Sequence, residues 1–302
     1  MKILVAGGTG FIGSAIVREL LNVPGYEIAV LSRDADRVKN IFKQQVQAVK
    51  GDVTDPQSLK DIMAGIDCVV QCVQFPNHPV QNEKKGYTYE NFDARGTENI
   101  VAALKNTQVK RIIYLSGAGT RPERTEPWFR AKIRAEAAIK NSGTHYVIIR
   151  PSWVYGPGDH SMSKFVKFAE SLPVMPVLGD GRSRVSPLFI DDLAKVVSRS
   201  IESEIVKNRV IELGGPQVLT MNEIETTVLE VVGKSKKPLL HQPLWMAKMA
   251  GRATSLFLKN PPLSAEAVDF ITMDIPVESR PAEELYKMKF VDLKTALLSY
   301  LK

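Results

Sequence analysis

The chain has 302 residues and carries 40 lysines and arginines against 33 aspartates and glutamates, a formal net charge of +7. Hydrophobic residues make up 44% of it and charged residues 24%, with 20 glycines and 18 prolines. This ordinary globular composition excludes collagen-like, coiled-coil and wholly disordered proteins. No apolar run reaches the roughly 18 residues that cross a bilayer, and the N-terminal sequence lacks a signal-peptide pattern, so we expect a cytoplasmic protein.

Only two cysteines occur, Cys68 and Cys72, within one apolar run. On a strand, four residues at about 3.3 Å each place the two Cα atoms roughly 13 Å apart. A disulfide needs Cα atoms within about 7 Å of each other. We therefore expect two unpaired thiols in the core and no metal site.

Short apolar runs alternate with amphipathic stretches through the first half of the chain. Strands are predicted at residues 2–6, 27–31, 46–50, 68–73, 111–115 and 146–150, and helices at residues 11–21, 34–42, 58–63, 96–104 and 129–140. Strands that alternate with helices at this spacing indicate a doubly wound α/β fold, a parallel sheet with helices on both faces. We predict one domain over residues 1–155, to which segments around 179–215 return.

After residue 150 prolines interrupt the pattern, which predicts a smaller C-terminal α/β lobe over residues 156–302. After residue 150 we also expect a strand at 210–213 and a helix at 221–232, which begins at a capping box of Thr220 and Glu223. Residues 245–258 form a basic amphipathic helix that includes Lys248 and Arg252. Packing of this helix on its own lobe is favoured over a peripheral membrane or protein contact through residues 245–259.

A glycine-rich turn, GGTGFIG at residues 7–13, follows the first strand directly and opens the first helix. Bare backbone N–H groups at a helix N-terminus bind the pyrophosphate of a dinucleotide, and a Cβ in the turn would block that approach. The strand before the turn and the helix after it make this motif specific. It predicts a Rossmann-like dinucleotide-binding domain, which also suits the surplus of positive charge in the first half of the chain.

The end of the second strand predicts which dinucleotide binds. An acid at this place selects NAD, because it accepts hydrogen bonds from the ribose 2′-hydroxyl. Here Ser32 and Arg33 stand there, and Arg37 follows one helical turn later. Serine and arginine can both hold a phosphate, so NADP(H) is favoured over NAD(H), although Asp34 lies next to them. Asp52 and Val53, after the third strand, would contact the adenine.

These residues resemble the short-chain dehydrogenase/reductase superfamily, in its extended, epimerase-like branch. The Arg-Pro…Tyr-Gly-Pro-Gly segment of that branch is matched by residues 150–159 (RPSWVYGPGD). The segment after its substrate loop is matched by residues 187–194 (PLFIDDLA). The resemblance runs from residue 2 to about residue 232, and it implies a Rossmann-like fold with a nicotinamide dinucleotide.

The catalytic pair of that superfamily is a tyrosine with a lysine four residues later, assisted by a serine or threonine after the fifth strand. Ser116 and Lys132 keep two of these positions, but Trp128 stands at the tyrosine position. An indole donates a hydrogen bond but does not ionise usefully, so it cannot act as the general acid or base. Asp93 also replaces a common asparagine of the family. The cradle for the cofactor is therefore retained while the proton relay is broken.

This combination is similar to the atypical branch that contains the NADPH-binding accessory subunit of respiratory complex I and its bacterial relatives. The resemblance implies a tightly held NADPH with a structural, assembly or sensing role. The site residues that it implies are Gly7, Thr9, Gly10, Phe11, Ile12 and Gly13 for the pyrophosphate, Ser32, Arg33 and Arg37 for the 2′-phosphate, Asp52 and Val53 for the adenine, Lys132 for the nicotinamide ribose, and Pro151 and Val154 beside the nicotinamide.

Two other function classes stay open. The first is an active NADP-dependent reductase or epimerase-like oxidoreductase, in which a proton comes from Lys132 with a lowered pKa, from Ser116, His160 or Tyr155, or from water. It predicts a small-molecule pocket lined by Trp128, Trp153, Tyr155 and Ser186. The second is a regulator that senses the cofactor ratio through a protein partner. Binding of nucleic acid is not expected, because no helix-turn-helix pattern occurs.

Overall fold

The computed structural model describes residues 1–76, 78–257 and 265–301. It divides the chain into two compact units. The first unit is made of Met1–Pro76, Asn82–Pro151 and Ile190–Glu212. The second is made of the described residues of Asn77–Gln81, Ser152–Phe189 and Leu213–Lys302.

Strands and helices alternate regularly up to residue 151 and become shorter and less regular afterwards. The strands are β1 (Lys2–Ala6), β2 (Glu27–Ser32), β3 (Gln47–Lys50), β4 (Cys68–Gln71), β5 (Arg111–Leu115), β6 (His145–Pro151), β7 (Val154–Tyr155), β8 (Met175–Leu178), β9 (Arg184–Val185), β10 (Leu188–Phe189), β11 (Arg209–Leu213), β12 (Leu219–Thr220) and β13 (Leu239–Gln242). The helices are α1 (Phe11–Leu21), α2 (Ala35–Phe42), α3 (Gly96–Ala103), α4 (Pro127–Lys140), α5 (Met162–Ser171), α6 (Ile190–Ser200), α7 (Met221–Val231), α8 (Leu244–Phe257), α9 (Ala265–Ile271), α10 (Arg280–Tyr286) and α11 (Leu293–Tyr300). A π-helical segment, Glu90–Arg95, leads directly into α3.

A seven-stranded sheet organises the first unit, in the order β11-β6-β5-β4-β1-β2-β3. The pairs from β3 across to β6 are parallel, with Leu4 of β1 opposite Ala29 of β2 and Val69 of β4. Parallel neighbours require crossover connections, which the helices between the strands supply. The predicted Rossmann-like, doubly wound α/β fold is confirmed.

Both faces of this sheet are covered. Successive side chains of a strand point to opposite faces, and in β1 the residues of both faces, Ile3 with Val5 and Leu4 with Ala6, are fully buried. Leu4 and Ala6 belong to the hydrophobic core that includes residues of α3 and α4. Helices α1 and α6 form a separate packed pair. Because both faces are covered, the ends of the strands remain accessible, and polar residues can gather at their carboxyl ends.

The second unit is built from small ladders and helices. Strands β7 and β10 are parallel, β8 and β13 are parallel, and β9 and β12 are antiparallel. Helix α7 packs against α5 and α11. The predicted capping box is present, since the Thr220 hydroxyl accepts from the Glu223 amide and the Glu223 carboxylate accepts from the Thr220 amide.

The helix predicted over residues 58–63 is wrong. A short 3₁₀ turn, Pro56–Leu59, stands there instead, capped by the Asp55 side chain, which accepts from the Gln57 amide. Asp61 then adopts a left-handed φ of 63°. A helix cannot continue through a residue in this conformation, and the local turn chemistry therefore overrides the apolar pattern.

The thiols of Cys68 and Cys72 are both unpaired, and burial raises the pKa of each to about 12. Within the described ranges, no three His, Cys, Asp or Glu side chains are grouped so that they could hold a metal ion. No described helix is long and apolar enough to cross a membrane. The predicted basic segment 245–259 forms α8 up to Phe257, and residues 258 and 259 lie outside the described part of the chain.

Candidate functional site

The glycine turn between β1 and α1 is tightly folded against the neighbouring strand end. Gly7 has a φ of +90°, and a Cβ there would lie 2.9 Å from the carbonyl group of Cys72. The Gly10 amide donates to the Gly7 carbonyl at 3.0 Å. A Cβ on Gly13 would collide with that same carbonyl. Gly7 and Gly13 are thus required by close backbone approach, which holds the first turn of α1 at the carboxyl end of β1.

The N-terminus of α1 is left open to a ligand. Gly10 is the N-cap and supplies no side chain, and the first turn of α1 holds no acidic residue. Thr9, Gly10, Phe11 and Ile12 are each at least partly exposed there. Amide groups without a side-chain cap at a positive helix end form a site for an anion. The cradle predicted for the pyrophosphate fits this arrangement, because a Cβ in the turn would occupy the space that the backbone needs.

Asp34, the acid directly before α2, has a role in local structure. The Asp34 carboxylate accepts from the Asp36 and Arg37 amides at 3.0 and 3.1 Å, and so caps α2. The Ser32 hydroxyl accepts from the Asp34 amide and donates to the Asp34 carbonyl. The Arg37 guanidinium reaches back to the Thr9 carbonyl at 3.2 Å. A cation therefore lies beside the glycine turn, while the carboxylate faces the helix.

Arg33, Asp52 and Val53 lie at the adjacent strand ends. The Arg33 guanidinium is half exposed, 3.9 Å from Asp52 Oδ2 and 5.9 Å from the centre of the Phe92 ring. Asp52 Oδ1 accepts from both the amide and the hydroxyl of Thr54 at 2.8 Å. These bonds fix the carboxylate and leave Oδ2 as the oxygen that can accept from a base amine.

Helix α3 holds Val53 in place through a residue that sequence reasoning missed. The Asn99 side-chain amide donates to the Val53 carbonyl at 2.8 Å. A Cβ on Gly96 would lie 2.9 Å from a Val53 methyl group, so the glycine makes room for the valine. Gly96 and Asn99 are three residues apart on one helix face. That spacing was visible in the sequence, but nothing in the sequence indicated Val53 as its target.

One face of α4 carries Trp128, Lys132 and Glu136, at intervals of four residues. The Trp128 ring lies directly over Gly117, just after β5, where a Cβ would collide with it. The indole also contacts the ring of Phe129, with centroids 4.6 Å apart. The residue at the usual tyrosine position is therefore part of the packing between α4 and the end of β5.

Lys132 is buried in an ion pair. Its side chain is 3% exposed, and its Nζ lies 2.9 Å from Asp93 Oδ1 and donates to the Leu115 carbonyl at 3.0 Å. Burial lowers the pKa of Lys132, but the Asp93 carboxylate outweighs it, so the pKa lies well above its ordinary value. Burial also raises the pKa of Asp93, which the ammonium opposes, and at this distance we expect the charged pair at neutral pH. A lowered pKa of Lys132, one of several proton sources open to the reductase hypothesis, is not expected in this environment.

Ser116 is bound to a second internal network. Its hydroxyl donates to Glu136 Oε1 at 2.7 Å. The same carboxylate accepts from Nε and Nη2 of Arg150 at 2.8 and 2.7 Å. Burial raises the pKa of Glu136, but Arg150 and Ser116 hold it below its ordinary value. The serine proton is therefore used inside the protein, and the two retained family positions both face buried carboxylates.

The remaining predicted residues are divided between the two units. Pro151 ends β6, and its carbonyl accepts from the Ala118 amide at 2.9 Å. Val154 lies in the second unit, paired with Leu188 across β7 and β10. Of the residues named for the reductase hypothesis, Tyr155 and Ser186 are fully buried and His160 is exposed.

The chain is similar to a known family and to proteins of known name. A model of an NAD(P)H-binding family matches residues 7–173. The mitochondrial NADH dehydrogenase (ubiquinone) 1 alpha subcomplex subunit 9 of Arabidopsis thaliana is 24% identical over 235 residues, which cover 76% of this chain and 57% of that protein. The chain thus spans little more than half the length of this relative.

Two other similar proteins are named as enzymes. A 2-alkyl-3-oxoalkanoate reductase of Stenotrophomonas maltophilia is 25% identical over 259 residues, which cover 77% of this chain and 76% of the reductase. Among solved structures, an NADPH-dependent quinone oxidoreductase of Escherichia coli in complex with NADPH has a TM-score of 0.75 and 20% identity, and the alignment covers 99% of each chain. That structural likeness shows the fold alone.

Proposed function

The chain belongs to the NAD(P)H-binding family, within the extended or atypical short-chain dehydrogenases/reductases, and on this premise we propose that it holds NADPH in a structural, assembly or sensing role. The observation that carries the proposal is the buried pair of Lys132 and Asp93, 2.9 Å apart. NADPH supplies a hydride donor when it is bound. A protonated, buried lysine that is already bonded to a carboxylate and a carbonyl is poorly placed to exchange a proton during hydride transfer.

The state of Ser116 and Trp128 supports the same proposal. A general acid or base must be within hydrogen-bond reach of the reacting atom and must change its protonation state near neutral pH. The Ser116 hydroxyl donates to Glu136, and an indole does not titrate usefully. Ser116, Trp128 and Lys132, which stand at the three usual catalytic positions, are all engaged in contacts within the protein.

A preference for NADPH over NADH is supported by the orientation of Asp34. Its carboxylate caps α2 by accepting from the Asp36 and Arg37 amides. Arg37 lies against the glycine turn, and Arg33 is half exposed nearby. Two guanidinium groups suit a 2′-phosphate, because arginine binds phosphate in a bidentate manner. Ser32 would join them by turning its hydroxyl away from the Asp34 carbonyl.

The first experiment identifies the dinucleotide that the protein carries. The protein is purified without added nucleotide and denatured, and the released compound is identified by mass spectrometry and absorbance at 340 nm. We expect stoichiometric NADPH, which stays reduced when the intact protein is incubated with quinones, enones and ketones. An empty protein, or steady consumption of NADPH with any of these acceptors, would overturn the proposed role.

The preference for NADPH is tested by Arg37→Ala, with Lys39→Ala on the same exposed helix as the matched control. Loss of one charge-assisted contact should weaken NADPH binding by roughly tenfold to a hundredfold. NADH binding should change little, and Lys39→Ala should leave both affinities unchanged. Equal losses for NADPH and NADH would show that Arg37 does not read the 2′-phosphate.

An active NADP-dependent reductase is the second candidate, and the similarity to a 2-alkyl-3-oxoalkanoate reductase favours it. Because the pKa of Lys132 is raised, the proton in such a reaction would come from water or from the substrate. Turnover in the acceptor panel would then survive Trp128→Phe, since the indole has no part in proton transfer.

A further inference from the structure

The chain between residues 231 and 265 contains no aspartate or glutamate. Its basic residues are Lys234, Lys236, Lys237, Lys248, Arg252 and Lys259. A run of this length without an acid is unusual in a chain that is about one quarter charged. The segment therefore has a positive charge of its own, although the second half of the chain as a whole is nearly balanced.

Where the structure describes the side chains of helix α8, at residues 244–249 and 251, one side of the helix is buried and another is apolar and exposed. Ala247 and Gly251 are buried, and α8 packs against α9. Trp245 is 63% exposed, Met246 49% and Met249 60%. Met249 is a surface neighbour of both other residues, because it lies four positions after Trp245 and three after Met246. The predicted packing of the helix on its own lobe therefore accounts for only one side of it.

The structure describes four basic side chains of this segment, and two of them are exposed and lie outside α8. Lys234 and Lys236 are exposed in the connection before β13. Lys237 is used internally, since its Nζ donates to the carbonyls of Ala169 and Leu172. Lys248 is paired with Asp269 of α9 at 2.5 Å, so its charge is partly offset.

We propose that the exposed face of α8 binds the surface of an anionic lipid bilayer. Tryptophan prefers the boundary between headgroups and acyl chains, where its apolar ring and polar N–H are both accommodated. Stable binding at this depth needs a second signal besides apolar area, and the acid-free basic segment supplies electrostatic attraction to anionic lipid. The two features together favour a bilayer over a protein partner, and they are independent of the proposed role of the cofactor.

The test is flotation of the full-length protein with vesicles of phosphatidylcholine alone or mixed with phosphatidylglycerol. We expect binding to the anionic vesicles to exceed binding to the neutral ones by roughly tenfold, and to weaken as salt is raised. Met249→Glu should reduce the anionic binding roughly tenfold, because it places a carboxylate on the inserted face. Ile205→Glu is the matched control, since Ile205 is also 60% exposed but lies in the first unit, and it should bind like the wild type.

Each other outcome contradicts the proposal. Equal flotation with both vesicle types, or none with either, would exclude recognition of anionic lipid. Unchanged flotation of Met249→Glu would place the contact elsewhere. If the protein alone forms dimers that Met249→Glu dissociates, the face is an interface between copies. Circular dichroism and thermal melting of both variants establish that they are folded before these results are compared.

Discussion

Asp93 determines the chemical state of Lys132 because the two side chains share a site that water does not reach. The side chains of both are at most 3% exposed. Attraction between opposite charges is strong at such a site, but each charge depends on the other for its stability. A lysine that burial alone would tend to neutralise is therefore kept charged, and the pair contributes to the packing between the π-helical segment and α4.

Replacement of Asp93 by asparagine tests this dependence. The change leaves the Lys132 ammonium buried without a counter-charge, so we expect Asp93→Asn to lower the free energy of unfolding by about 3 kcal/mol at pH 7. Burial then lowers the folded-state pKa of Lys132 below the unfolded value, so the deficit should shrink as the pH rises towards 10. Urea unfolding at several pH values measures both effects.

The double variant Asp93→Asn with Lys132→Met is the control for that experiment. It removes both charges and replaces the lysine with an apolar side chain of similar length, so most of the lost stability should return. An Asp93→Asn protein as stable as the wild type at pH 7 would show that the pair is not charged.

At the scale of elements, the site depends on how closely α1 approaches the turn that follows β1. Gly13 permits this approach, while Gly10 lies exposed at the open end of the helix. The two glycines are therefore required for different reasons, one for packing and the other for access of a ligand to the backbone.

Alanine at each of these positions should separate the two requirements. Gly10→Ala places a methyl group where the pyrophosphate is expected, so it should weaken dinucleotide binding at least about tenfold while changing the free energy of unfolding by less than about 1.5 kcal/mol. Gly13→Ala collides with the Gly7 carbonyl, and it should destabilise the protein itself. Fluorescence titration and thermal melting distinguish the two. Unchanged binding by Gly10→Ala would contradict the assigned cradle.

The elements could be predicted wherever local pattern and burial agree. Strand β1 is apolar after Lys2 and directly precedes the glycine turn, so its place was readable from a short window of sequence. The interval at 58–63 was misread because its apolar residues pack against the core from a turn that contains Pro56 and Asp61. The contact of Asn99 with Val53 joins residues 46 positions apart, and no local pattern reports it.

The direction of the pKa shift of Lys132 could not be predicted either, because it too depends on a contact between residues far apart in the chain. Burial was foreseeable from the position of the lysine on α4, and by itself it lowers the pKa. The sign of the shift depends on Asp93, which the sequence analysis noted only as a departure from the family pattern. Its distance from Lys132 follows from the way the π-helical segment and α4 pack together.

At the scale of the whole molecule, one buried acid contributes to the dependence of stability on pH. Glu225 of α7 is 2% exposed, and burial raises its pKa to about 8. Between pH 4.5 and 8 the folded state keeps a proton that the unfolded state has lost. Stability should therefore fall as the pH rises through this range, by up to about 1.4 kcal/mol per pH unit, and the full penalty is present above pH 8.

Glu225→Gln should remove this penalty, because glutamine stays neutral at every pH in the range. We expect the melting temperature of the variant to exceed that of the wild type at pH 8.5 and to equal it near pH 4.5. Glu170→Gln, at an exposed position of α5, is the matched control and should follow the wild type. Parallel melting curves for Glu225→Gln and the wild type across this range would contradict the raised pKa.

The pairing of Lys132 with Asp93 also bears on how such a site could change over evolutionary time. A single change of Trp128 to tyrosine would restore a phenol, but its neighbouring lysine would still be bound to a carboxylate. A single change of Asp93 to asparagine would release the lysine at a cost in stability and still provide no phenol. Only the two substitutions together provide both a phenol and a lysine that is not paired with a carboxylate, so a return to a tyrosine–lysine pair takes at least two changes.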